Sequence, residues 1–226
     1  MAKYLVMLQC LRSGDYLGFV LMLAASLFVV FCCLPVHELA HGLVADKCGD
    51  DTARMQGRLT INPFAHLDLL GTIMIICFGI GYAKPVPVNP ARLKHPRRDM
   101  ALIALAGPVS NLIMGFVSVF IFYLLHSISG DNVGLQAVST FFYYAASVNV
   151  TLAVFNLFPI PPLDGSKILA SVLPDKIYFS YMKYERYIMI VLMVLLFTGA
   201  LSGAISAVSG FMMRIISFIP SMIFGG

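Results

Sequence analysis

The stretch "LGFVLMLAASLFVVFCCLPVHELAH", residues 17–41, decides how this chain is read. Its first twenty residues carry no charge, and a helix needs about 20 apolar residues to cross a hydrocarbon core. The run then passes without a gap into two histidines and a glutamate. Burying such groups near an apolar span is costly unless they are paired or functional, so their placement asks for a chemical reason.

The spacing supplies one. His37 and His41 are four apart, so on a helix both imidazoles leave one face and can hold a single metal ion. Glu38 lies about 100° round that helix, where it can serve as a general base toward water at the metal instead of as a ligand. "HELAH" is therefore an H-E-x-x-H zinc-hydrolase signature.

The setting is a membrane. Of the 226 residues, 59% are hydrophobic and 12% charged, there is no Trp, and the mean hydropathy is +0.88, which excludes an ordinary soluble domain. Apolar runs at about 17–36, 100–126, 135–158 and 187–209 have spanning length. Residues 69–83, "LLGTIMIICFGIGYA", are apolar but short and hold three glycines, which suits a re-entrant segment. "RLTI", residues 58–61, alternates like a strand, and Asn62-Pro63 reads as a helix cap with a first-turn proline. The expected fold is an all-α polytopic membrane protein of about four spanning helices. A re-entrant apolar segment, a short β-hairpin-like element and a buried zinc site near the cytoplasmic side complete it, as one domain over residues 1–226.

Met1 to Gly14 reads as a lead-in lying on the membrane, and the first span is too long for a removable signal peptide. The last span ends near 209 and leaves an apolar tail. The formal charge of +4 gathers in loops, so it speaks to topology and not to nucleic acid, which is not an expected partner. The basic loops 84–98 and 165–186 should face the cytoplasm, and the tip at 127–134 should face outside. A re-entrant 69–83 puts the histidine end of the first span and the "LDG" sequence on one side. The five cysteines (Cys10, Cys32, Cys33, Cys48, Cys77) form no C-x-x-C pair and read as small buried apolar residues.

A catalytic zinc takes a third protein ligand and keeps one position open. The candidates on the same side are Asp164, His66, Asp68, Asp175 and Glu185. Asp164 leads, because "PIPP" gives it a rigid approach and Gly165 permits an unusual turn. An ordinary Leu-Asp-Gly turn accounts for the same residues equally well.

"HELAH", "GRLTINPFAHLD", "GYAKPVPVNP", "AGPVSN" and "NLFPIPPLDG" follow one another between residues 37 and 165. Together they resemble the site-2 protease family of intramembrane zinc metalloproteases, in its small bacterial form without PDZ or CBS domains. The resemblance fades beyond residue 170. It implies one zinc per chain held by His37, His41 and Asp164, with Glu38 activating water. It also implies that Asn156 holds the scissile carbonyl or its oxyanion. The implied activity is cleavage of transmembrane protein substrates in or beside the lipid bilayer, as in regulated intramembrane proteolysis. The implied location is the bacterial cytoplasmic membrane, with the active site toward the cytoplasm; the oligomeric state stays open.

Other polar residues have plainer readings. Gly107, Ser110 and Asn111 suit close helix packing and an interhelical hydrogen bond. His66 and Asp68 fit a solvated helix start, or orient a ligand from behind. Lys84 suits a snorkelling interface lysine. His95 and His126 look like loop and span-end residues. The rival functions are a membrane metal transporter, since intramembrane His and carboxylate groups also line ion paths, and a catalytically silent scaffold.

Overall fold

The computed structural model describes residues 9–68, 84–174 and 184–224. Helix α1, Tyr16–Lys47, starts at Asp15, whose carboxylate accepts the Gly18 N–H at 2.8 Å. Its ladder widens into a π turn over Val29–Cys33, immediately before Pro35. Proline has no N–H for the carbonyl four residues back, and a π turn is a common accommodation of such a gap. Cys33 at its end, and His37 and His41 beyond it, each four apart, are all buried.

Two short turns of helix follow, α2 (Thr52–Met55) and α3 (Pro63–His66). Asn62 caps α3 by accepting the Phe64 N–H, with Pro63 in the first position as read. A 3-10 turn at Pro90–Arg92 leads to α4, Pro96–Ser129. Asp99 in its first turn accepts the His95 N–H at 2.8 Å, which gives that donor at the helix start a partner. Then come α5 (Val133–Leu157), α6 (Asp164–Val172), α7 (Glu185–Thr198) and α8 (Ser202–Phe224). Among the described residues four helices are long and apolar enough to cross a membrane: α1, α4, α5 and α8.

α4 and α5 form a hairpin around the tip at Gly130–Asn132, and Gly115 of α4 lets the Val150 side chain and the Ala146 carbonyl of α5 approach. α1 packs on both. Ala25, Val29 and Cys33 meet Ala145, Val148 and Leu152, and the Phe28 and Phe141 rings stand edge to face at 5.6 Å. Phe28 meets Phe141 and, further along, Cys33 Sγ meets the Asn149 amide at 3.5 Å, so α1 runs parallel to α5. His41 meets Ile103 near the start of α4, so α1 and α4 are antiparallel. The last turns of α1 and α5, the first turns of α4 and all of α6 thus gather at one end of the bundle.

Three expectations change. The span read at 187–209 breaks at Gly199, whose φ of +76° closes α7 in the left-handed conformation that glycine adopts at little cost. α7, at about 21 Å long, is shorter than a hydrocarbon core, and the residues read as a tail belong to the spanning helix α8. No strand forms among the described residues, so the hairpin-like element is absent there. Residues 58–62 are instead fastened by side chains: Arg58 donates to the Lys84 and Pro85 carbonyls, and His66 binds the Thr60 carbonyl. Cys32 is exposed and Cys10 and Cys48 are half-buried, leaving Cys33 as the buried cysteine among those described. The re-entrant segment 69–83, the lead-in before residue 9, Asp175 and Cys77 lie outside the described residues.

Candidate metal centre

The HELAH turn lies in the second half of α1, about 9 Å short of its carboxyl end. His37 and His41 project together toward α4, with their Nε2 atoms 3.0 Å apart. The His41 Nδ1–H donates to the Ile103 carbonyl of α4 at 2.6 Å. That bond leaves Nε2 as the lone-pair nitrogen, the arrangement in which an imidazole binds a metal. Asp164, first residue of α6, brings Oδ2 to 3.4 Å from His37 Nε2 and 3.2 Å from His41 Nε2. Three buried ligand atoms therefore lie within 4.8 Å of one another.

Asp164 gets there because of its neighbours. The chain leaves α5 at Leu157, turns through "FPIPP", and starts a new helix with Leu163 at the cap. Gly165 follows in a helical conformation, not an unusual turn. A Cβ at Gly165 would stand 2.2 Å from the Leu157 carbonyl oxygen, so its role is close approach to the end of α5. Lys167 donates to Asp164 Oδ1 at 3.3 Å, which leaves Oδ2 to the histidines. Burial alone would raise the Asp164 carboxyl. Close contact with the His37 and His41 rings, and the charge of Lys167, outweigh it and hold the group well below the usual carboxylate range.

Whether these donors suit zinc is tested by the space beside them. Zinc at about 2.0–2.1 Å from each of three tetrahedral N/O ligands separates them by about 3.3 Å, close to the spacings here. The floor of that space is Gly107 of α4. A Cβ there would lie 2.3 Å from His41 Nε2 and 2.6 Å from His37 Nε2, on the nitrogens that would ligate. The residue read as a packing glycine thus keeps the donor atoms clear, and the donor set fits zinc.

Glu38 is buried beside this cluster but is not part of it. Its Oε2 accepts the Val86 N–H at 3.0 Å. Val86 lies in "KPVPVN", residues 84–89, where prolines at 85 and 87 leave it the one donor between Lys84 and Val88. This strap is pinned at both ends. At its start the Lys84 N–H donates to the His66 carbonyl at 2.7 Å and Arg58 holds two carbonyls. At its end Asn89 N–H donates to Asp50 Oδ2 at 2.6 Å, and Asp50 also takes the Thr52 N–H and hydroxyl. Neither Val86 nor Asp50 stood out in the sequence, since a backbone donor leaves no residue signature; only the prolines around Val86 hinted at it.

The remaining candidates separate from the site. His66 is fully buried, which overturns the solvated reading, and its Nε2 bonds the Thr60 carbonyl and takes no part in the metal cluster. Asp68 is half-buried and outside the cluster, and Lys84 is exposed. Ser110 bonds back to Gly107 within α4. Asn111 is 1% exposed, yet its amide makes no hydrogen bond among the described residues, so the interhelical bond expected of it is not formed. Asn156 is half-buried in the last turn of α5, eight residues before Asp164.

The geometry can be set beside known proteins. Residues 25–134 and 125–199 match peptidase family M50. Relatives named "Putative zinc metalloprotease" include the following three. YwhC of Bacillus subtilis (strain 168) is 46% identical over 167 residues, 72% of this chain and 75% of its own. MJ0611 of Methanocaldococcus jannaschii is 31% identical over 153 residues, 66% of this chain and 71% of its own. Rip2 of Mycolicibacterium smegmatis is 26% identical over 204 residues, 85% of this chain and 73% of its own. No solved structure matches the chain. A His, His, Asp cluster suited to zinc, set among spanning helices and inside a match that runs from residue 25 to residue 199, places this chain in peptidase family M50, the site-2 proteases.

Proposed function

We propose that the protein is an intramembrane zinc endopeptidase that cuts other membrane proteins within or next to their transmembrane segments, in regulated intramembrane proteolysis. His37, His41 and Asp164 hold one zinc. The observation that carries this reading is the convergence of their three ligand atoms, from α1 and α6, onto the side of α4 where Gly107 leaves room. A transporter would line a path with several sites in series; here the described ligands meet at one place. The site belongs on the cytoplasmic side. Lys47, Arg54, Arg58, Arg92, Lys94, Arg97, Arg98 and Lys167 all lie toward that end of the bundle, while the opposite tip at 130–132 carries Asp131 and no cation.

When bound, zinc polarises the peptide carbonyl and makes water acidic enough to attack it near neutral pH. Glu38 takes the proton from the attacking water and hands it to the leaving amine. The Val86 N–H holds one of its oxygens, which fixes the direction in which the other points. Asn156 donates its amide to the oxygen of the scissile carbonyl as charge develops there. The walls formed by α1, α4 and α5 limit access of bulk water to these groups.

Purified protein should carry about one zinc per chain, the content of a single three-ligand site. Glu38→Gln should keep that zinc and lose cleavage of a model transmembrane substrate by about 10²-fold or more, because the amide cannot accept the proton. Wild-type cleavage by a zinc-loaded Gln variant would sink the hydrolase reading.

A further inference from the structure

Toward the bundle centre from the metal layer, α4 and α5 carry two further buried polar side chains, Asn111 and Asn149. On α4, Ile103, Gly107, Asn111 and Gly115 follow at intervals of four, so they share a face. Gly107 adjoins the rings of His37 and His41, and Gly115 adjoins the Cβ of Asn149. Asn111 stands between them. A helical side chain leans toward the amino end of its helix, so the Asn111 amide lies over the turn of Gly107, where the His37 ring packs.

Several buried polar atoms on α1, α4 and α5 lack protein partners. His37 Nδ1, both Asn111 heteroatoms and Asn149 Oδ1 are buried, and none makes a hydrogen bond among the described residues. Asn149 uses its Nδ2–H groups on the Ala145 carbonyl at 3.0 Å and on Cys33 Sγ at 3.5 Å, which fixes its oxygen as the free end. His41 has its Nδ1 partner in Ile103; His37, one turn away on the same metal cluster, has none. With Nε2 turned to the metal, His37 carries its proton on Nδ1 and needs an acceptor, and ligating histidines nearly always have one. Of the two free amide oxygens, Asn111 Oδ1 leans toward the His37 turn, whereas Asn149 bonds back to Ala145 and leans away from it.

We propose that Asn111 is the positioning residue for His37, acting through one ordered water. The water accepts the His37 Nδ1–H and donates to Asn111 Oδ1, two bonds, within the two to four that a buried water makes. Asn111 then does for the first histidine what the Ile103 carbonyl does for the second: it sets the tautomer and aims the ring. This inference rests on the metal-site reading above.

The test is chelator competition for zinc in detergent-solubilised full-length protein. Asn111→Leu removes the acceptor and should weaken zinc binding about 10–100-fold, the usual effect of losing a ligand's outer partner. Asn111→Asp keeps an acceptor and should stay within about threefold of wild type. Wild-type affinity in a folded Leu variant overturns the proposal. Should the Leu variant fail to fold, nitrogen-15 imidazole NMR of zinc-loaded wild type decides. A slowly exchanging, hydrogen-bonded His37 Nδ1–H that shifts in Asn111→Asp supports the water bridge, and an unbonded or unshifted one removes it. His37→Ala and Asp164→Ala in the same assay keep the two ideas apart. If they retain wild-type zinc, the metal site itself is misplaced. If they lose it while Asn111→Leu does not, only the role of Asn111 fails.

Discussion

α1 and α8 are both long and apolar enough to span a membrane, yet they do opposite things with their side chains. In its most apolar window α1 is 44% buried and α8 only 11%. α1 lies between α4 and α5, with His37, Glu38, His41 and Cys33 buried along it. α8 touches α4 and α5 from outside and exposes Phe211, Ile215, Phe218, Ile219 and Met222. Its buried contacts are few: Ile205 joins Leu192, Leu196, Phe155 and Leu163 near the site end, and Phe224 stands edge to face on Phe120 at the other. Hydrophobic length therefore tells that a helix crosses, while its small and polar residues tell whether it crosses among protein or against lipid.

The sharpest way to break this contrast is at the glycine where α4 meets α1. Gly107→Ala places a methyl group on the Nε2 atoms of both histidines, with helix backbone behind it that cannot retreat. Zinc content should fall to about a tenth of wild type or less, because metal binding needs those nitrogens at fixed distances. Cleavage should fall with it. Metal analysis of purified protein checks this, and full zinc in the Ala variant would mean that α4 does not floor the site.

Much of the site was legible because it is written in residue types with spacing rules. Two imidazoles four apart and a carboxylate after "PIPP" require no knowledge of tertiary structure to notice, and the apolar runs locate three of the four spanning helices. What was not legible depends on backbone. The break at Gly199 resembles the glycines that helices tolerate, and nothing but its left-handed φ distinguishes it. "RLTI" alternates like a strand, but its available partners are Arg58 with the 84–85 carbonyls and His66 with Thr60, so side chains won over a ladder. The Val86 donor and the Ile103 acceptor belong to apolar residues whose side chains say nothing about the bonds their main chain makes.

A middle-sized effect is expected at Asp50, which reaches the site only through the strap. It is buried, holds Asn89 and Thr52, and makes no contact with the metal cluster. Burial would raise its carboxyl, but the Thr52 hydroxyl and the Asn89 and Thr52 N–H groups outweigh that and leave it lowered. A lowered folded-state carboxyl contributes stability in full above the ordinary carboxylate range and loses it as pH falls through the folded value. Asp50→Ala should cost about 1–3 kcal/mol near neutral pH, the range for leaving buried donors unpaired. Cleavage should drop about tenfold while zinc is retained, since Glu38 loses its alignment but the ligands do not. Below about pH 4 the stability gap between variant and wild type should narrow. Thermal melts across pH, with zinc content measured alongside, check all three; loss of zinc in Asp50→Ala would show that the strap supports the ligands themselves.

The smallest effect belongs to the outward face of α8. Phe218 is 62% exposed, and in a bilayer its ring exchanges contact with lipid tails for contact with lipid tails. Between helices and lipid there is no hydrophobic gain to lose, so Phe218→Leu, which remains apolar, should leave both zinc content and cleavage within about twofold of wild type. The melting temperature should move by less than for Asp50→Ala. A truncation on the buried seam, Leu152→Ala on α5 against α1, removes packing that lipid cannot replace and should destabilise by about 2–5 kcal/mol. A pair of melts in one detergent reads the difference directly. If Phe218→Leu lowered cleavage as far as Asp50→Ala does, α8 would be touching substrate or a second copy of the chain along that face, and the contrast between a helix that holds chemistry and one that meets lipid would have to be redrawn.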